Sequence, residues 1–145
     1  MQQVQYETKL PFTAEKVWTL LADFGSILDW LPSGNDNSTI TLVGEGVGML
    51  RDLDMPSVGK VQHRLDRLDH NAMTTTYSLT KGAPLGMVDY QVSVSVVVIG
   101  DEQCRLNFHG EFEGHPSADI TQMARNLEGA YSGMGKGIEA FLNRM

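Results

Sequence analysis

The sequence predicts an α+β fold in which a seven-stranded, curved antiparallel sheet wraps around one long C-terminal helix, with two short helices after the first strand. Residues 38–113 read as strand after strand separated only by short turns, so consecutive strands must pair antiparallel. From Ser117 onward the apolar period changes from two to between three and four, the mark of an amphipathic helix. One strand and two short helical segments precede the sheet-rich region.

The first strand is Gln3–Leu10. Val4, Tyr6, Thr8 and Leu10 alternate with Gln3, Gln5, Glu7 and Lys9, which gives one buried and one wet face. Thr13 is the expected N-cap of a helix running to about Phe24, with Phe12 and Val17 spaced as a hydrophobic staple. That helix buries Val17, Trp18, Leu20, Leu21 and Phe24. Gly25 interrupts it, and Ser26–Leu31 forms a second short helix stopped by Pro32.

Strands are then expected at Thr39–Val43, Val47–Met55, Lys60–Leu68, Met73–Thr80, Met87–Ile99 and Gln103–Phe112. In the fifth of these, Val88, Tyr90, Val92, Val94, Val96 and Val98 face inward, opposite Asp89, Gln91, Ser93 and Ser95. The last has two readings. Either Asn107, His109 and Glu111 point inward, or Leu106, Phe108 and Phe112 do; the second is preferred. Gly44, Gly46 and Gly48 stand between two strands, so they make a turn and not a nucleotide loop.

The closing helix places Ile120, Met123, Leu127, Tyr131, Met134 and Ile138 on one stripe, continued by Phe141 and Leu142, with Ser117 as its cap. Gly129, Gly133 and Gly137 flank that stripe. Glycine costs about 1 kcal/mol against alanine inside a helix, so they imply a close neighbour or local flexibility. A strongly twisted sheet of this size curls into a half-barrel. A single helix cannot fill it densely, so a cavity is expected between the two.

The chain has 145 residues, the size of one domain spanning residues 1–145, and a net charge of −7. It lacks the basic face that nucleic acid requires, and anionic membranes would repel it. Cys104 is the only cysteine, which excludes an internal disulfide and fits a reducing compartment. The residues Met1–Gln5 lack the basic and apolar pattern of a signal peptide, and Val96–Ile99 is too short an apolar run to span a bilayer. The expected location is the cytoplasm.

Val17-Trp18, Asp23-Phe24 and Trp30-Leu31-Pro32 resemble the first helices of the START-like (SRPBCC) superfamily. Gly46-Val47-Gly48-Met49-Leu50-Arg51 is similar to its Gly-x-Gly-x-x-Arg strand, and Arg64-Leu65-Asp66-Arg67-Leu68-Asp69 to its Arg-Leu-x-x-Leu-Asp strand. Met73–Leu79, Pro84, Tyr90 and the closing helix continue the match over nearly the whole chain. The bacterial polyketide-cyclase/dehydrase branch is the nearest. Plant abscisic-acid receptors are more distant: the chain lacks their Ser-Gly-Leu-Pro gate, having Met55-Pro56-Ser57-Val58-Gly59, and has no Lys or Arg in Asn35–Val43. The resemblance implies a helix-grip fold holding a small molecule in an internal cavity. Carried over position by position, it implies a wall containing Leu53, Met55, Val61 and His63. From the next strands it adds Tyr77, Leu79, Tyr90 and Val92, and from the helix Met123, Leu127 and Tyr131.

His63 is the polar residue of most interest, since it could orient a ligand, act as acid or base near neutral pH, or be satisfied internally. Arg51 shares the face of Leu53 and Met55. It either forms a structural ion pair or anchors a ligand's polar group. No nucleophile–base arrangement or metal-ligand spacing is present, so no metal and no cofactor are expected. The leading functional expectation is a carrier or sensor of an apolar or aromatic molecule, such as a lipid or a polyketide-like compound. A cyclase, aromatase or dehydratase with His63 as catalytic candidate is the alternative, and a protein–protein adaptor using the convex sheet is a third. A homodimer is compatible with all three. The cavity door is expected at Met55–Gly59 and Thr80–Met87, where Met55, Pro56, Val58, Pro84, Leu85 and Met87 meet.

Overall fold

From the second strand to the seventh, sequence neighbours are sheet neighbours, and the first strand pairs with the last. The computed structural model describes residues 1–31 and 37–145. Its elements are β1 (Gln2–Leu10), α1 (Ala14–Ala22), α2 (Ile27–Trp30), β2 (Thr39–Val43), β3 (Leu50–Met55), β4 (Gly59–Asp69), β5 (Thr74–Lys81), β6 (Met87–Gly100), β7 (Gln103–Gly114) and α3 (Ile120–Asn143). Seven antiparallel strands form one sheet in the order β1-β7-β6-β5-β4-β3-β2. This is the α+β architecture that the sequence predicts, with α3 packed across the β1–β7 side.

The Thr13 hydroxyl caps α1 by accepting the Lys16 N–H at 3.2 Å. The helix ends at Ala22, two residues short of the expected end, because the Asp23 carboxylate takes the Gly25 N–H at 3.0 Å and turns the chain. Phe24 is nevertheless buried. The expected stop at Pro32 lies outside the described residues.

Three details among others differ from expectation for local reasons. β3 starts at Leu50, not Val47, because Gly44, Gly46 and Gly48 all adopt positive φ (86°, 66° and 96°) and keep Val47 in the turn. The cap of α3 is Asp119, which accepts the Gln122 N–H at 3.1 Å, while the expected cap Ser117 is engaged with His115 Nδ1 at 2.7 Å. In β6, Val88 and Val98 face solvent despite the alternating pattern, because the pairing with β7 shifts register between Met87 and Asp89 and between Val98 and Gly100.

β7 turns Leu106, Phe108 and Phe112 into the core, leaving His109 exposed and Asn107 and Glu111 half-buried. Helix α3 buries Met123, Leu127, Tyr131, Ile138 and Leu142. Its close approach to the sheet occurs at Gly135, where an added Cβ would stand 3.1 Å from Thr8 Cγ2. Gly129, one of the three glycines expected to mark such an approach, is exposed with open space beside it.

Candidate functional site

The half-barrel and α3 leave a cavity of about 170 Å³ between them. β3 and β4 supply Leu53, Met55, Val61 and His63 to its wall, and β5 and β6 supply Tyr77, Met87 and Tyr90. α3 contributes Leu127, Ala130, Tyr131 and Met134, while Ile27 and Leu31 close the side near α2. A groove of about 430 Å³ bordered by Asp52, Lys60 and Lys81 is larger, but half of its lining is polar. The inner cavity is lined almost wholly by apolar surface.

Four of the residues expected on the wall lie elsewhere. Val92 is fully buried in the packed core beside Gly110 and Tyr77. Leu79 is half-buried opposite His63. Met123 packs its thioether over the end of β7, 2.7 Å from where a Cβ on Gly114 would stand. Arg51 is buried behind His63. Ile27, Leu31, Ala130 and Met134 were not foreseen on the wall; α2 gave no sequence cue to its direction, Ala130 flanks the stripe assigned to the helix core, and Met134 lies on that stripe but was not carried to the cavity.

Behind the wall, the Arg51 guanidinium sits in the corner between two tilted aromatic rings, its Cζ 4.0 Å from the Phe24 centroid and 4.5 Å from that of Tyr77. Its Nε donates to His63 Nδ1 at 3.0 Å and one terminal nitrogen donates to the Phe24 carbonyl at 3.1 Å. The other terminal nitrogen, equally buried, has no partner among the described residues. No carboxylate pairs with this cation among the described residues, so the ion pair considered from the sequence is not present there. Burial lowers the Arg51 pKa to about 10, leaving it cationic at neutral pH.

Arginine can only donate, so His63 Nδ1 is the acceptor and the ring proton resides on Nε2. Burial, reinforced by the Arg51 charge, holds His63 well below its ordinary pKa and therefore neutral. The imidazole lies against the Tyr77 ring with centroids 4.8 Å apart. Its one lone pair is occupied. The side chain can donate into the cavity but cannot accept a proton there without surrendering its bond to Arg51.

At the helix side, the hydroxyls of Tyr90 and Tyr131 are hydrogen-bonded at 2.7 Å. Tyr131 is stacked on Phe108 with centroids 4.7 Å apart. Its hydroxyl lies against Gly110, where any Cβ would overlap it. Burial is the main cause that raises the pKa of Tyr77, Tyr90 and Tyr131, so all three remain protonated donors.

The mouth is formed by Val58, Pro84 and Leu85. Leu85 holds the left-handed conformation (φ 55°, ψ 20°) and both lines the cavity and exposes 46% of its surface. Gly82 anchors this loop at φ 96° on top of the Lys60 carbonyl, which leaves no room for a side chain.

No cluster of potential metal ligands occurs among the described residues, and no helix there is long and apolar enough to cross a membrane. The fold is similar to that of the protein XoxI from Bacillus cereus, with a TM-score of 0.84 at 24% identity over 98% of this chain and 96% of that one. Norcoclaurine synthase from Thalictrum flavum, solved with dopamine and hydroxybenzaldehyde, gives a TM-score of 0.76 at 19% identity, covering 99% of this chain and 87% of its own. The di-domain ARO/CYC BexL of the BE-7585A biosynthetic pathway gives 0.81 at 11% identity, 99% of this chain spanning 47% of that one. No protein of curated function matches the sequence. The profile described as polyketide cyclase / dehydrase and lipid transport matches residues 1–145, and the chain belongs to that family.

Proposed function

We propose that the protein binds a small apolar or aromatic molecule in the cavity between sheet and α3, as a carrier or sensor. The observation that carries this reading is a concave wall of aliphatic and aromatic side chains, with polarity confined to His63, Tyr77, Tyr90 and Tyr131. Size narrows the ligand. An engineered cavity of about 150 Å³ accommodates benzene, so about 170 Å³ suits a single ring with a short substituent. A larger, polyketide-like molecule would need the Leu85 loop displaced.

An enzymatic role, as in a cyclase or dehydratase, draws support from the family and from His63 at the wall. The hydrogen bonding argues against His63 as a general base, because its single lone pair is committed to Arg51. Binding is therefore the better-supported reading. Native mass spectrometry of freshly purified protein tests it directly. A co-purifying small molecule, lost on mild denaturation, is the expected result. A protein that carries nothing and also fails to take up single-ring aromatics at millimolar concentration would overturn the proposal.

A further inference from the structure

Among the described residues, the polar groups around the cavity leave more donors than acceptors unmatched: the tyrosine oxygens can accept, but the remaining polar groups are donor-only or have their lone pair occupied. Arg51, donor-only, occupies the one acceptor nitrogen of His63, which leaves the Nε2–H without an acceptor among the described residues. In the Tyr90–Tyr131 pair one hydroxyl donates to the other, so one O–H of the two remains free. The O–H of Tyr77 has no acceptor among its described partners, and the neighbouring Arg51 cannot provide one. No Asp, Glu, Asn or Gln lies on the described wall. Behind it sits a buried cation with one nitrogen unpartnered and no carboxylate paired to it among the described residues.

We propose that the cavity selects ligands whose inner end is a hydrogen-bond acceptor, a carbonyl or carboxylate oxygen on a single-ring or similarly small apolar body, and that it rejects organic cations. This rests on the binding function proposed above and adds its specificity. A carbonyl oxygen has two lone pairs and can satisfy two of the orphaned donors together; a carboxylate adds attraction to Arg51. An ammonium finds only the tyrosine oxygens to accept its protons and meets the like charge of Arg51 within the same low-dielectric region. An unsubstituted hydrocarbon fills the volume but leaves the donors unpaired.

Four probes of closely similar shape test this by calorimetric titration: ethylbenzene, acetophenone, phenylacetate and 2-phenylethylamine. Acetophenone and phenylacetate are expected to bind about tenfold or more tightly than ethylbenzene, the gain of one or two buried hydrogen bonds, with 2-phenylethylamine weakest. Tyr77→Phe and the double variant Tyr90→Phe/Tyr131→Phe should each weaken acetophenone about five- to tenfold, by the loss of one donor. Ethylbenzene affinity should be retained in both, which also reports that the cavity is intact. Ethylbenzene binding as tightly as acetophenone, or 2-phenylethylamine binding as tightly as either, overturns the selectivity while leaving the binding function standing. Acetophenone affinity unchanged in both variants does the same. Failure of all four probes overturns both proposals.

Discussion

Gly110 is the position at which one added methyl group should be most informative. A Cβ there would overlap the Tyr131 hydroxyl, and Tyr131 cannot retreat: it is fully buried and stacked on Phe108. Gly110→Ala should therefore cost about 1–3 kcal/mol for overpacking. Separation of the Tyr90–Tyr131 hydroxyl pair should add about 1–2 kcal/mol for unpaired buried groups. In a Tyr131→Phe background the offending oxygen is gone. The nearest remaining atoms are Tyr131 Cζ at 3.2 Å and Tyr90 Cε1 at 3.4 Å, distances that a shift of a few tenths of an ångström relieves. Alanine also regains about 0.5–1 kcal/mol of the entropy that glycine loses in a strand. The second substitution should then be close to neutral, giving a coupling of about 2–3 kcal/mol between positions 110 and 131. Urea denaturation of the four proteins measures it. For a chain of this size each kcal/mol also moves Tm by about 3 °C. Additivity within about 0.5 kcal/mol would refute the view that Gly110 exists to admit the Tyr131 hydroxyl.

Three further outcomes are expected. Unfolded, His63 titrates near its ordinary 6.5; folded, it stays neutral to well below that value. Between those limits the unfolded chain holds the extra proton, so stability falls as pH falls, by about 1.4 kcal/mol per pH unit for this group. Denaturation at pH 7 and 5 should show His63→Gln lacking that portion of the slope, and identical slopes would contradict it. Arg51→Met should change stability by no more than about 1 kcal/mol, because relief from burying an unpaired cation offsets the lost hydrogen bonds; a loss of the about 3–5 kcal/mol typical of a broken buried ion pair, seen in the same assay, would reveal a counter-ion. On addition of acetophenone, amide hydrogen exchange should slow in the Met55–Gly59 and Thr80–Met87 segments, since Val58 and Leu85 close the mouth. Protection confined to the opposite end of the half-barrel would place the entrance elsewhere.

Much of the fold is written in local pattern. Alternation in β1 and central β6, and the helical period after Ile120, reflect burial on one face, which a sequence records directly. What was not legible depends on register. β4 buries Val61, Gln62 and His63 in succession, because its pairing with β5 shifts between Gln62 and His63 and again between Leu65 and Arg67. A shifted register adds no period of its own to the sequence. The alternation that marks the strands also supports most of the wall residues that the family resemblance implies. The exclusion of Val92 and Met123 was not, because facing inward does not distinguish a residue packed under the helix from one beside a void. Nor could spacing reveal that Arg51, twelve residues from His63, would bind an imidazole in place of a carboxylate.

The pairing of β1 with β7 sets the order in which this molecule can assemble. Leu10 is bonded across the sheet to Cys104, and Val4 to Gly110, so the first strand finds its neighbour only after almost the whole chain has emerged. The meander β2–β7 can zip together hairpin by hairpin, with short loops and little entropy to lose at each step. β1 must instead close a loop that encloses all of it. Because α3 rests on β1 and contributes one side of the cavity, the cavity is complete only once both chain ends have docked. Refolding should accordingly have its slowest conformational phase in that docking, and a molecule held in the cavity would stabilise only the finished protein, not its partially folded precursors.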